Sequence, residues 1–170
     1  MVAAVLLVAA ALASGEPAAL EVGLVAAPGR LTVQPAVQGD VPAEWSRALQ
    51  GGAPVSITYR LRLFRNRRWV WDQRLSGHQL VVEAQRDPLT GVFTLIARLD
   101  EEVLASGHAA TLEEALQWVK HPPPATIPVP LRHEPLWLVV RAEFLTKYRL
   151  LVFPSTVGTD WVTRAVPGSP

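Results

Sequence analysis

The stretch Val55–Leu63, "VSITYRLRL", alternates without interruption: Val55, Ile57, Tyr59, Leu61 and Leu63 are apolar, and Ser56, Thr58, Arg60 and Arg62 are polar. Successive side chains of a β-strand point to opposite faces, so this two-residue rhythm predicts a strand with one buried face and one wet face. Asn66–Arg68 supplies a turn after it. A return strand then starts at Trp69 and runs past Gly77. A bulge or bend is expected at Gly77, because glycine in a strand packs no side chain.

Toward the N-terminus, Leu20–Ala26 and Leu31–Val37 read as short strands joined by the turn dipeptide Pro28-Gly29. Pro42–Gln50 forms one short helix, with Trp45 and Leu49 one turn apart on the same side and Gly51-Gly52 at its end. Toward the C-terminus, Leu80–Gln85 and Val92–Leu99 flank "RDPLTG", a hairpin turn in which Pro88 sets φ and Gly91 takes a positive one. Glu101–Ser106 adds a strand. "TLEEALQWVK", Thr111–Lys120, carries the clearest helix signals: Thr111 caps it, Glu114 completes a capping box, and Leu112, Ala115, Leu116 and Val119 form an apolar stripe. Pro122-Pro123-Pro124 stops it. Leu136–Leu145 is a last long strand, with Trp137, Val139, Arg141 and Glu143 opposed to Leu136, Leu138, Val140, Ala142 and Phe144.

Seven or eight short strands joined mostly by hairpin-length turns predict an all-β fold, an antiparallel β-sandwich or open barrel with one or two short helices. No strand alternates with a crossover helix, which argues against a parallel sheet. The expected organisation is a leader over residues 1–19, a single β-rich domain over 20–165 and a disordered tail over 166–170. Composition agrees: 170 residues suit one core, and 49% hydrophobic against 18% charged content excludes a disordered chain. A net charge of +1 gives no global field toward nucleic acid or an anionic membrane, so basic character is local. The absence of cysteine removes disulfides, thiolate nucleophiles and cysteine-ligated metals.

The first twenty residues, "MVAAVLLVAAALASGEPAAL", open with an apolar run from Val2 to Ala13. Twelve helical residues reach roughly 18 Å at ~1.5 Å each, against a bilayer core of about 30 Å. The run has the length of a signal-peptide core, and Ala11-Leu12-Ala13 before Ser14 is a small-residue cleavage pattern. We expect export to the periplasm or beyond, with cleavage near Ala13, rather than an uncleaved membrane tether.

With these pieces in order, the sequence resembles a family of exported bacterial proteins, domain of unknown function family 4390. The likeness rests on "ALQGGAPVSITYRLRLFRNRRWVWDQRL" (Ala48–Leu75), "DPLTGVFTL" (Asp87–Leu95), "ATLEEALQWV" (Ala110–Val119) and "TDWVTRAVP" (Thr159–Pro167). The resemblance implies a cell-envelope location, and a partner connected with signalling. It implies no chemistry.

Six arginines crowd Tyr59–Leu75, with Asp72 the one acid among them. Arg60, Arg62, Arg65, Arg67 and Arg68 form a candidate anion or partner patch. Arginine on phosphates with tryptophan under bases is a nucleic-acid platform. Against that reading, Arg60 and Arg62 occupy the wet phase of a strand, Arg65, Arg67 and Arg68 sit at the turn, and Trp69 and Trp71 share one phase that fills the core. Charges at a sheet edge also discourage strand-to-strand aggregation. No nucleic-acid partner is therefore expected, whereas an anionic lipid headgroup or acidic polysaccharide suits the same patch. Asp72 is expected in a cross-strand ion pair with Arg60 or Arg74.

His78, His108, His121 and His133 show no metal-binding spacing, and no serine, glycine or acidic motif of a hydrolase or nucleotide enzyme occurs. No cofactor, metal or catalytic residue is assigned. The expectation is a non-catalytic exported domain that binds a protein partner in the envelope. The alternative is a carrier of an apolar or anionic small ligand held between the sheets behind the arginine-rich hairpin.

Overall fold

A computed structural model describes residues 18–65, 72–130, 135–146 and 157–167. Residues 1–17 of the expected leader, the turn with Arg67 and Arg68, Trp69, Trp71, His133 and residues 168–170 lie outside the described residues, whereas Ala19 already belongs to the first strand. The elements in chain order are β1 (Ala19–Ala27), β2 (Arg30–Gln38), α1 (Glu44–Gln50), β3 (Val55–Arg65), β4 (Gln73–Arg86), β5 (Phe93–Leu99) and β6 (Glu102–Ala109). There follow α2 (Leu112–Lys120), β7 (Ala125–Pro128), β8 (Leu136–Thr146), β9 (Val157–Gly158) and β10 (Val162–Ala165).

All pairings are antiparallel. A small sheet runs β1-β2-β7, and a large one runs β10-β8-β3-β4-β5-β6 with β9 added beside β8. The large sheet ends in β10 and β6 rather than closing on itself, so of the two expected architectures the sandwich is correct. The small sheet and both helices cover one face of the large sheet. Leu31, Val33 and Val37 from the small sheet, Trp45 and Leu49 from α1, and Ala115 and Val119 from α2 join Val55, Ile57, Tyr59, Leu61 and Leu63 in one fully buried core. Burying each such leucine or valine contributes ~1.5–3 kcal/mol.

Local chemistry sets the turns. The β1–β2 hairpin turns at Pro28-Gly29, with Gly29 at φ 73°, a conformation that costs glycine little and other residues more. In "DPLTG" the Asp87 carboxylate accepts from the backbone N–H of Leu89 (2.8 Å) and Thr90 (3.4 Å), and these donors hold its carboxyl below the usual range. Thr111 caps α2 as expected: its hydroxyl accepts from Glu114 N–H at 3.2 Å while Glu114 reaches back to Thr111 N–H at 3.2 Å. Such a cap contributes about 1 kcal/mol.

The other end of α2 is held by tertiary bonds. The buried Tyr59 hydroxyl lies 3.1 Å from the carbonyl of Val119 and 3.2 Å from that of Lys120, two last-turn carbonyls that the helix itself leaves unpaired. Lys120 Nζ donates to Gly39 O at 2.9 Å, tying the same helix end to the chain after β2.

Three expectations need correction. The outward positions Ser56 and Thr58 are buried, not wet. They lie in the interior strand β3, opposite Glu83 and Val81 on one side and, for Thr58, Glu143 on the other, so longer neighbours overtop them. The register irregularity expected at Gly77 falls instead between Leu63 and Phe64, leaving Leu75 as the extra residue of β4. Gly77 serves a different need, since a Cβ there overlaps the guanidinium of Arg74. Ordered packing also reaches Val166, which is buried and whose N–H donates to Leu136 O at 3.0 Å.

Two predictions follow from burial. Burial pushes the Tyr59 phenol above its ordinary pKa of 10.0, so the folded state keeps its proton where the unfolded chain loses it. Stability therefore falls as pH rises above ~10, by up to ~1.4 kcal/mol per pH unit from this group. Urea unfolding at neutral pH should show Tyr59→Phe about 0.5–1.5 kcal/mol less stable, and at pH ~11 the gap to the parent should narrow. Separately, a Cβ at Gly158 stands 2.6 Å from the backbone oxygen of Ala142, whereas Gly77 meets only the flexible end of Arg74. Gly158→Ala should cost about 1–3 kcal/mol in thermal or urea unfolding and Gly77→Ala much less.

Candidate functional site

The outer face of the large sheet has no element packed over it among the described residues, and the registers place its side chains in rows. Thr163, Val139, Arg62 and Gly77 lie side by side across β10, β8, β3 and β4. Ala165, Trp137, Phe64 and Arg74 form the next row, and Arg141, Arg60 and Gln79 the row on the other side. Phe64, Trp137, Val139, Thr163 and Asp72 line a groove of about 440 Å³ that opens to solvent. Its floor is apolar because Phe64, Trp137 and Val139 all fall in the outward phase of strands whose inward phase is already filled by Leu63, Leu138 and Val140.

Guanidinium groups surround this floor. Arg62 lies 4.5 Å and Arg141 5.8 Å from the ring centroid of Trp161, which remains 38% exposed. Cations over an indole gain ~0.5–1 kcal/mol at exposed sites and more where water is excluded. Arg74 folds across Gly77, beside Arg62. Arg60 Nε sits 2.7 Å from Glu143 Oε2, and the Glu143 side chain is 12% exposed. Arg141 Nε is buried without a hydrogen-bond partner among the described residues.

Of the sequence-derived patch, the structure thus brings Arg60 and Arg62 to this face. Arg65 is not in the turn: it ends β3 and donates to Gln73 Oε1 at 2.7 Å. Arg67 and Arg68 lie outside the described residues. The ion pair expected between Asp72 and Arg60 or Arg74 does not form among the described residues: Arg60 is taken by Glu143 of β8, the Arg74 guanidinium lies over Gly77, and Asp72 lies on the groove. Edge protection does not explain Arg60 and Arg62 either, since β3 is flanked by β4 and β8.

Sequence reasoning missed Trp161, Arg141, Phe64, Trp137, Val139 and Thr163 as members of one site. It also missed a pair at the opposite side of β4. His78 Nδ1 lies 2.5 Å from Asp100 Oδ2, and Asp100 Oδ1 accepts from Gln79 N–H at 2.8 Å. Asp100 and Glu101 have φ of 50° and 78°, so this carboxylate pins the tight β5–β6 turn onto β4. We read it as a structural tie. Among the described residues no group of three potential metal ligands converges, and no helix is long and apolar enough to cross a membrane.

The family model described as domain of unknown function DUF4390 matches residues 19–136. The chain belongs to the DUF4390 family. No curated protein and no solved structure matches it. In this DUF4390 chain the groove straddles the end of the matched span. Arg62, Phe64 and Asp72 lie within it, whereas Trp137, Val139, Trp161 and Thr163 follow it.

The Arg60–Glu143 pair yields an asymmetric prediction. Arg60→Ala leaves a nearly buried carboxylate without its cation and should cost about 1–3 kcal/mol. Glu143→Gln removes the charge but keeps an acceptor, and should cost less than half as much in the same urea titration.

Proposed function

We propose that this DUF4390 chain is an exported, non-catalytic sandwich domain that holds a protein partner in the bacterial cell envelope. The observation that carries the reading is the composition of the outer face, over which no described element packs. It combines three aromatic rings, Phe64, Trp137 and Trp161, with three guanidinium groups, Arg62, Arg74 and Arg141, around an apolar groove. Tryptophan and arginine are the side chains that most often carry interface energy, because they bury large area while presenting few, directed polar groups. The leader run Val2–Ala13 supports export, and the resemblance to exported proteins supports an envelope partner.

The groove also bears on the carrier alternative. It lies outside the sandwich, whereas the region beneath β3 is filled by Tyr59, Leu61 and Leu63.

The test is affinity capture from a bacterial envelope with the full chain and its Trp161→Ala variant, read by quantitative mass spectrometry. A polypeptide enriched by the parent and depleted at least severalfold by the variant, with a mature N-terminus at Ser14, is the expected result. An intact cytosolic Met1 sinks export. A co-purifying small molecule in native mass spectra, with no polypeptide captured, replaces partner binding with the carrier reading.

A further inference from the structure

We propose that the outer-face groove seats an acidic segment of the partner protein, with one bulky apolar side chain lodged among Phe64, Trp137 and Val139 and flanking carboxylates on Arg62 and Arg74. This rests on the partner-binding reading above and supplies the chemistry that reading leaves open.

The first argument is which cations are already used. Arg60 is matched by Glu143 at 2.7 Å. Arg62 and Arg74 have no carboxylate partner among the described residues. Arg62 lies over the indole of Trp161. A contact with a ring face uses no N–H hydrogen bond of the guanidinium, so Arg62 keeps donors for an acceptor such as a carboxylate. The indole also restricts the arginine, so less rotamer freedom is lost when an anion arrives.

The second argument is adjacency. Arg62 is the cross-strand neighbour of Val139, and Arg74 that of Phe64, so both cations border the apolar floor directly. A ligand that satisfies them therefore brings an apolar group and an anionic group within one or two residues of each other.

The third argument separates a peptide from an anionic membrane or polysaccharide. Asp72 lines the same groove, and Glu143 lies on the same face beside Arg60. A uniformly anionic surface brings like charge onto Asp72, whereas a patterned segment can place carboxylates on the arginines and keep neutral or basic groups near Asp72. The mixed face reads a pattern.

The experiment is fluorescence anisotropy of the full chain with a labelled short peptide carrying one phenylalanine flanked by glutamates on both sides. Control peptides replace the phenylalanine by serine or the glutamates by lysine, and phosphatidylglycerol vesicles form a further arm. The expected result is binding at least roughly tenfold tighter than to either control, weakening further as salt rises. Arg62→Gln should weaken it by about tenfold. Thr163→Trp, at an exposed rim position, should fill the groove and do the same with an unchanged melting temperature. Equal affinity for the phenylalanine and serine peptides overturns the proposal, as does unaltered binding by Thr163→Trp. Binding to vesicles with none to the peptides assigns the face to anionic lipid instead. If envelope capture succeeds through Trp161 while the peptide preference is absent, partner binding stands and this chemistry fails.

Discussion

The hydroxyl of Tyr59 beneath the last turn of α2 is the contact on which the arrangement of layers depends. Tyr59 sits in β3, the interior strand that pairs with β4 and β8, and its ring is fully buried. Its donor meets carbonyls of Val119 and Lys120 that otherwise remain unpaired in an apolar setting, where an unsatisfied group costs about 1–3 kcal/mol. The bond therefore sets where the helix lies along the sheet. Lys120 then reaches Gly39 O, so one helix end references both sheets. With the inner face closed by α1, α2 and the small sheet, groups that could meet a partner are left to the outer face.

That outer face is organised by β8. Its inward residues Leu138, Val140 and Ala142 are buried in the core, which forces Trp137, Val139, Arg141 and Glu143 outward in a row along the strand. Two short segments then share its other edge. β10 pairs along Trp137–Val140 and β9 along Glu143–Phe144, with Thr159 between them bonding to Ala142. The close approach at Gly158 lets this chain pass tightly by Ala142. Trp161 thereby arrives over Arg62 and Arg141.

Much of the scaffold was legible in the sequence because its signals are local. The alternation of Val55–Leu63, the turn at Pro28-Gly29, the "DPLTG" hairpin and the Thr111–Glu114 box each depend on residues a few positions apart. The site was not legible, because its contacts arise from register. Arg62 and Trp161 are far apart in sequence and meet only once β3, β8 and β10 are aligned. The same cause misassigned the partner of Arg60: Asp72 is nearer in the chain, but Glu143 is the diagonal neighbour across β8. Burial of Ser56 and Thr58 was likewise invisible, since it depends on the length of side chains on flanking strands.

The position of the arginines within the sheet decides how they should be understood. At an edge, charge is sufficiently explained by the need to block further strand pairing. β3 has both edges occupied, so its arginines block nothing. Arg62 instead stands beside an apolar floor, over an indole that is 38% exposed. Tryptophan, phenylalanine and guanidinium groups without a carboxylate partner among the described residues stand together on that surface. An apolar patch bordered by cations gains most from the hydrophobic effect when a further surface covers it.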